Sequence, residues 1–524
     1  IVIHGPLHGS PEGGLSSEYP VRSPTPPPSR EAGTARLLAS LKAADGGRSE
    51  TPDSGSRSQP RRALSLDALR GFFLVLMTFG FTIQTALLPL WMYHKQMPPP
   101  TLALVDAPGI GWRDLAYAAF IFTMAAALPI TLSRRIEQGE TEVSIVLAAL
   151  RRFGLLFVFA LLIGHANTYF IGYTQTGRAL AILGFVIMFA VFVRRRADWS
   201  ERTSVWISRA GWIAAILFLT LSPLTYGKTF SPARRDEIIA YLAVASLFGS
   251  LVWYFTRNNL QARLAVLAGI VALYLGARGD GWIGQWWWSS PAPWLFRPTD
   301  LGLMAVVIPG TIAGDVILRW MRTPAGPHAS VTSDSSWSRS RVAALAGLGF
   351  VLTPIVVAGL YGRWVGETTQ AAGVLCLLGA GLVWRPTTEH ERMLRALFAW
   401  AAVWLLIGLF LEPSEGGIKK VPETLSYFFT VTGLTMMLLV AFAAIVEVLN
   451  RRKSVATLID VGHNPMLCYV LYTVFLNSIL EMIPPVRGVL RDSAGSVVLR
   501  SVISTIVVVL LVRLFTRKRI FWRT

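Results

Sequence analysis

From residue 64 onward the sequence is a succession of apolar runs, and this feature decides the fold class. Runs of about 20 residues cross the hydrocarbon core of a bilayer as α-helices. The runs lack the two-residue alternation of a membrane β-barrel. Composition agrees, because 53% of the 524 residues are hydrophobic and only 15% are charged, against about 25% in soluble domains. The sequence therefore predicts an all-α, polytopic transmembrane helix bundle.

The apolar runs give 14 candidate helix cores. They are 69–88, 114–133, 152–170, 178–193, 209–224, 237–255, 260–276, 301–318, 342–361, 370–384, 395–411, 425–447, 458–482 and 496–515. One or two are short enough to be re-entrant or interfacial segments, so we expect about 11–14 spans.

Residues 1–60 have a different composition, rich in Pro, Gly and Ser and poor in large apolar side chains. Such a segment buries too little apolar surface to offset the entropy lost on ordering. We therefore expect a disordered tail over 1–60 and one transmembrane domain over 61–524.

Arginine and lysine cluster at the ends of alternate apolar runs. If the tail is cytoplasmic, the cytoplasmic segments hold roughly twice as many basic residues as the outer loops, as the positive-inside rule requires. This bias predicts an integral protein of the bacterial inner (plasma) membrane, with both termini in the cytoplasm. It also explains the net charge of +19 without a nucleic-acid partner, so we expect the lipid bilayer and not a nucleic acid.

Ionisable residues lie within the apolar runs, where their desolvation is costly and a functional role is the usual reason to keep them. Asp67 and Arg70 are three residues apart at the start of the first run. They could form a local ion pair in the first helical turn, with Ser65 as an N-cap. Alternatively, Arg70 binds an anionic, phosphate-bearing ligand while Asp67 orients it.

The loop before the second run and the first turn of that run carry a second candidate group. Asp114 could cap its helix or orient a base, and His94 is the histidine of the preceding loop. Histidine is the usual general base because its pKa lies near neutrality. The alternative is an interfacial loop in which His94 has no chemical role.

The stretch "LIDVGHNPMLCYVLYTVF" (458–475) places His463 and Asn464 inside an apolar run. Pro465 leaves main-chain groups without helical partners there, and a broken helix often lines a cavity. His463 could equally be a packing residue.

Two outer loops carry further candidates. Residues 277–300 contain five tryptophans, which suit either an interfacial aromatic girdle or a platform for sugar rings. Lys419 and Lys420 lie on the predicted outer side, against the charge bias, and are therefore candidate anion contacts.

Motifs for other chemistries are missing from the sequence. No Walker motif, G-x-G-x-x-G fingerprint, HExxH helix or GxSxG elbow occurs, and no metal-ligand spacing stands out. The two cysteines, Cys376 and Cys468, both lie in apolar runs and are expected to be buried small side chains. We expect no metal cofactor.

Several motifs together resemble a known membrane family. "RALSLDALRGFFLVLM" (62–77) and "GIGWRDLAYAAFIFTMAAALPITLSRRIEQGE" (109–140) resemble the opening of the heparan-alpha-glucosaminide N-acetyltransferase-like transmembrane acyltransferases. "WWWSSPAPWLF", "VIPGTIAGD", "GGIKKVPETLSYFF" and "GHNPMLCYVL" are similar to an uncharacterised bacterial branch of that family. The resemblance extends over nearly all of 62–515.

This resemblance implies transmembrane acyl transfer. A cytosolic acyl-CoA, with acetyl-CoA as the expected donor, would pass its acyl group to an amine or hydroxyl of a cell-envelope saccharide. His94, Asp114, His463 and Asn464 would be catalytic, and Asp67 and Arg70 would bind the donor. His463 or Asn464 would donate hydrogen bonds to the thioester carbonyl. Asp67, Arg70, Asp114 and Asn464 match the family pattern.

The sequence departs from the family at the usual catalytic histidine, ten residues before Asp114, where Leu104 stands. Either His94 takes over from a shifted position or the usual base is missing. Two alternatives therefore stay open beside the acyltransferase, namely a transporter or flippase and a catalytically inactive relative. A homodimer is also left open.

Overall fold

The structure, a computed structural model, describes residues 62–83, 87–99, 101, 103–193, 200–323 and 337–523. The predicted tail over 1–60 lies outside these residues. The α-helices are α1 Leu64–Thr82, α2 Trp112–Glu137, α3 Glu142–Ala166, α4 Thr168–Ile171, α5 Gln175–Phe192, α6 Glu201–Leu221, α7 Glu237–Thr256, α8 Leu260–Gly276, α9 Trp282–Trp288, α10 Met304–Arg322, α11 Arg339–Gly362, α12 Val365–Leu382, α13 Glu389–Leu411, α14 Leu425–Ala443, α15 Ala456–Gly462, α16 Pro465–Val470, α17 Asn477–Met482, α18 Pro484–Arg487 and α19 Ala494–Arg517.

The predicted fold class is confirmed. Twelve helical segments of the described chain are long and apolar enough to cross a membrane, within the expected range. The described residues contain no β-strand, and one isolated bridge joins Val193 and Trp522. All 14 candidate cores fall on helices, although α8 and α12 are not among the twelve. The apolar helices fit an integral membrane protein, while the bacterial inner membrane and the cytoplasmic termini stay predictions.

Many of the helices begin at a polar side chain, which is why the apolar runs resolve into separate helices. In each of them a hydroxyl, carboxylate or amide oxygen accepts a hydrogen bond from a main-chain N–H of the first turn. The capping residues are Thr141, Asn167, Thr174, Ser200, Asp236, Asn259, Ser338, Thr388, Thr424 and Ser493. For α1, the predicted cap Ser65 lies inside the helix, which begins after Ala63.

Helix α14 lies at the centre of the bundle, because every one of its residues is buried. Helices α2 and α10 are also mostly buried. Helix α6 lies at the periphery, because only 17% of the residues in its most apolar stretch are buried. Small residues allow the central helices to approach closely. A Cβ on Gly314 of α10, for example, would lie 2.4 Å from the carbonyl oxygen of Ala126 in α2.

Helices α1 and α15 meet through two glycines, and this contact builds part of the site described below. A Cβ on Gly71 would lie 1.9 Å from the carbonyl oxygen of Leu458, and one on Gly462 would lie 1.9 Å from that of Asp67. Only residues without a Cβ allow such an approach. The residue after Gly462 therefore lies against the first turns of α1.

The run predicted as one helix over 458–482 is broken in the structure. Helix α15 ends at Gly462, α16 begins at Pro465, and a π-helical turn over Leu471–Leu476 precedes α17. The proline removes a main-chain donor, and π-turns often occur at functional sites.

Helices α1 and α2 are antiparallel neighbours, and they define two sides of the bundle. At one side Arg113 of α2 donates to the carbonyl oxygen of Gly80 near the end of α1, over 2.9 Å. This is also the side of His94, and we call it the His94 side. The opposite side, where α1 begins and α2 ends, is called the Arg62 side.

Candidate active site

On the His94 side, a histidine and a carboxylate form a close pair. His94 Nδ1 lies 2.5 Å from Asp114 Oδ1, and Asp114 Oδ2 accepts the main-chain N–H of Gly111 over 2.8 Å. The second bond belongs to a capping arrangement that fixes the carboxylate at the start of α2. Asp114 is completely buried, whereas the His94 side chain is 24% exposed. The pair therefore consists of a carboxylate that is held in place by its helix and an imidazole ring that is partly exposed.

The contact with Asp114 decides which tautomer of His94 is favoured. An ionised carboxylate only accepts hydrogen bonds, so Nδ1 carries the proton and Nε2 is left with a lone pair. Burial lowers the pKa of His94 to about 4, and the charge of Lys420 lowers it too, against the opposing effect of Asp114. The ring is therefore neutral at pH 7, which is the state that a general base requires.

The loop before α14 contributes a cation to this pair. Lys420 Nζ lies 3.9 Å from Asp114 Oδ1 and 5.9 Å from the ring centroid of Tyr117. Burial lowers the pKa of Lys420, although the charge of Asp114 opposes this shift. Tyr427 fixes the helix end by donating to the carbonyl oxygen of Asp114 over 2.7 Å. Lys420, a candidate anion contact in the sequence, thus lies beside a carboxylate of its own chain.

On the Arg62 side, Asp67 is the centre of a second cluster. His463 Nε2 lies 3.0 Å from Asp67 Oδ2, and Arg70 Nη1 donates to Asp67 Oδ1 over 3.2 Å. Arg62 lies 3.6 Å from the same carboxylate and 3.0 Å from the His463 ring. Arg70 also donates to the carbonyl oxygen of Thr123 in α2, over 3.2 Å. The predicted Asp67–Arg70 pair therefore exists, and His463 and Arg62 are further partners of Asp67.

A cavity of about 830 Å³ opens beside this cluster. That is within the usual size of small-molecule sites. Its lining includes six arginines, one carboxylate and one histidine: Arg62, Arg70, Arg135, Arg151, Arg152, Arg523, Asp67 and His463. The excess of positive charge in a partly enclosed space favours an anionic ligand.

The cavity extends along α2 toward the His94 side. Phe120 lines it, and the helical rise of 1.5 Å per residue places Phe120 about 9 Å from Asp114 along the axis. Tyr469 also lines it and donates to both oxygens of Asp236, over 2.9 and 3.0 Å. Burial raises the pKa of Asp236 to about 6.

Asn464 takes part in neither group. Its side chain donates to the carbonyl oxygen of Ile520 over 2.8 Å and accepts the N–H of Trp522 over 3.2 Å. Trp522 in turn lines the cavity, so Asn464 holds a cavity wall in place.

The six residues proposed from the sequence thus fall into different places. His94 and Asp114 are together on the His94 side, and Asp67, Arg70 and His463 are together on the Arg62 side, while Asn464 contacts the C-terminal main chain. In the described part of the chain, no hydrogen bond or ion pair joins the two groups. The expected role of His463 and Asn464 at the thioester carbonyl stays a prediction.

Sequence reasoning did not select several residues of the cavity. Arg151 and Arg152 stand at the start of an apolar run, where arginine is also the usual topology signal. Asp236 does not line the cavity but bonds Tyr469, which does, and in the sequence it only precedes an apolar run. The signal that could have found Asp236 is its position as an N-cap within reach of a buried tyrosine, which requires the tertiary structure.

The remaining candidates have simpler environments. Among the five tryptophans of the 277–300 loop, Trp282 and Trp288 are mostly exposed and Trp287 is buried. Both cysteines are buried free thiols. Within the described ranges, no group of three or more His, Cys, Asp or Glu side chains is arranged to hold a metal ion.

Comparison with known proteins places the first half of the described helices in a family model. Residues 62–317 match the family model described as "Domain of unknown function (DUF5009)". This range holds α1 to α9 and most of α10, a little under half of the chain, and it includes Asp67, Arg70, His94 and Asp114. No curated protein matches the chain.

Proposed function

We propose that this protein is a transmembrane acyltransferase that moves an acyl group, expected to be acetyl, from acyl-CoA to a saccharide or similar acceptor. One observation carries the proposal: an arginine-rich cavity extends along α2 from the Arg62 side as far as Phe120, and the His94–Asp114 pair lies on the opposite side of the bundle. An anion site on one side and a general base on the other are the two parts that transfer across a membrane requires.

The donor would bind in the arginine-lined cavity. Coenzyme A carries a pyrophosphate and a 3′-phosphate, and guanidinium groups bind phosphate oxygens in pairs. Arg70 already donates to Asp67 and to two main-chain carbonyls. Arg70 and Asp67 would therefore shape the site, while Arg151 and Arg152 would contribute free positive charge. The acyl-bearing arm would extend past Phe120 toward the His94 side.

The acceptor would be activated by His94. Nε2 would take the proton of the acceptor hydroxyl or amine as that atom attacks the thioester carbonyl. Asp114, at 2.5 Å, would stabilise the imidazolium that forms. The carbon–sulfur bond then breaks, and the imidazolium returns its proton to the departing thiolate. The products are the acylated acceptor and free CoA, so protons and charge balance.

Reconstituted protein and radiolabelled acetyl-CoA test the proposal. We expect wild-type proteoliposomes to release CoA and to label a saccharide fraction of the envelope, and we expect His94→Ala to abolish both. The control His165→Ala removes a buried histidine from α3 that is hydrogen-bonded only to the carbonyl oxygen of Leu161 among described residues and that stacks on Phe230. Added imidazole should partly restore His94→Ala, because a free base can replace the missing one.

Two results would contradict parts of the proposal. Undiminished acyl transfer by His94→Ala would show that His94 is not the general base. If the folded wild-type protein releases no CoA when envelope saccharides are supplied, the protein is not an acyltransferase.

A transporter or flippase is the second candidate, and the broken segment 456–482 favours it. Discontinuous helices beside a polar cavity are typical of transporters, and this segment has one break, between Gly462 and Pro465, and a π-turn. The same proteoliposomes distinguish the candidates, because a transporter would accumulate a solute without releasing CoA. A catalytically inactive relative would instead fail to bind CoA.

A further inference from the structure

A second cavity, of about 470 Å³, opens on the Arg62 side at a different place in the bundle. It lies where α2 and α10 end and where α7 passes into α8. Four arginines and two carboxylates line it: Arg257, Arg263, Arg319, Arg322, Glu137 and Asp315. The lining therefore has an excess of positive charge, and nothing in the proposed acyl transfer uses it.

Part of this charge is neutralised within the cavity. The buried Arg263 donates to Asp315 Oδ2 over 2.5 Å, and Trp253 Nε1 donates to Asp315 Oδ1 over 2.9 Å. Arg322 pairs with Glu137. These contacts build a fixed wall, in which both carboxylates already have cationic partners.

Two arginines at the rim have no such partner. Arg257 donates to the carbonyl oxygen of Tyr254 over 2.6 Å, and Arg319 donates to that of Asp315 over 3.3 Å. Among the described residues, no carboxylate lies within ion-pair distance of either guanidinium. Both side chains are exposed, so their remaining N–H groups are available to an anion.

The surroundings of the two arginines are those of a membrane interface. The partly exposed Trp400 lines the cavity together with the apolar Leu260 and Leu318, while Trp253 is buried in its wall. Tryptophan is enriched at the headgroup level of bilayers. The N-terminus of α8, which carries a partial positive charge, also lies at the cavity. A lipid can therefore place its phosphate on the arginines and its acyl chains along the apolar rim.

We propose that this second cavity binds the phosphate of an anionic phospholipid headgroup, through Arg257 and Arg319. The site is distinct from the acyl-CoA cavity and does not depend on acyl transfer.

Lipid titration of the detergent-solubilised full chain, followed by native mass spectrometry, tests the proposal. The probes are phosphatidylglycerol and phosphatidylcholine with identical chains. We expect one tightly bound phosphatidylglycerol in the wild type, with an affinity about thirtyfold lower in Arg257→Gln/Arg319→Gln, because each arginine attracts anionic lipid. The matched control is Arg202→Gln/Arg209→Gln, which removes two exposed arginines from α6 outside either cavity and should bind as the wild type does.

A second double variant separates charge recognition from a structural effect. Arg257→Lys/Arg319→Lys keeps both charges and should retain most of the binding. A loss as large as in the glutamine variant would overturn the proposal, as would equal affinity for phosphatidylcholine or unchanged binding in Arg257→Gln/Arg319→Gln. Displacement of the lipid by millimolar inorganic phosphate would make the cavity a free-phosphate site and overturn the lipid assignment.

Discussion

The lowered pKa of His94 makes the stability of the protein depend on pH in a way that one substitution can isolate. The pKa of His94 is about 4 in the folded protein, against about 6.5 in an unfolded chain. The unfolded state therefore binds more protons than the folded state between these values, and stability is lost as the pH falls through this window. Above pH 6.5 the contribution is fully present.

The magnitude follows from the two pKa values. Lowering the pH from 7.5 to 4.5 protonates His94 in the unfolded state but only partly in the folded state. At 1.36 kcal/mol per pKa unit, this difference removes about 2–3 kcal/mol of unfolding free energy. His94→Gln has no such titration, so the pH dependence of the variant should be shallower by that amount. Groups that do not contact His94, such as Asp236 with its raised pKa, cancel in the comparison.

The assay is unfolding in mixed micelles at pH 7.5 and 4.5, with SDS as denaturant and far-UV circular dichroism as readout. Only the difference between the two pH values is compared, because the substitution itself also changes stability. Equal pH dependence in wild type and His94→Gln would show that His94 titrates normally. The assignment of His94 as a neutral base with a lowered pKa would then be wrong.

Three further predictions concern the contacts of the two sites. Gly462→Ala forces α15 away from α1 and should lower the free energy of unfolding by about 1–3 kcal/mol. The unfolding midpoint and the CoA affinity should both fall. Gly373→Ala, with nothing near its Cβ position, should leave both unchanged. Arg152→Gln should raise the Kd for CoA in calorimetry by about tenfold, the effect of one charge-assisted contact, and an unchanged Kd would place the donor elsewhere. Lys420→Met should move the acid limb of kcat/KM to higher pH, because the lysine charge lowers the pKa of His94; a shift toward lower pH would contradict this electrostatic assignment.

The helices could be predicted from the sequence because burial in lipid and burial in protein both require apolar side chains. The run over 425–447 indicated a helix, and α14 occupies Leu425–Ala443. Its end was less predictable, because a π-turn continues it to Val448. The break after His463 was indicated by Pro465, which cannot donate to the preceding turn. Hydropathy alone predicts one continuous helix over 458–482.

The candidate site could be predicted only where partners are close in sequence. Asp67 and Arg70 are three residues apart on one helix, so their pairing follows from helical geometry. The contact of Asp67 with His463, 396 residues away, depends on the approach of two glycines that no local pattern shows. Arg152 was hidden for another reason, since an arginine at a helix end looks the same whether it sets topology or faces a cavity.

Helix α8 has a consequence for the surrounding lipid. It begins beside the Arg263–Asp315 pair on one side and reaches the other side at Tyr274, which donates to the carbonyl oxygen of Glu423. Its 17 residues measure about 26 Å, less than the roughly 30 Å thickness of a hydrocarbon core. Bilayers respond to such a mismatch by thinning locally. Short-chain lipids should therefore gather along this flank, and bilayers of long-chain lipids should be strained there.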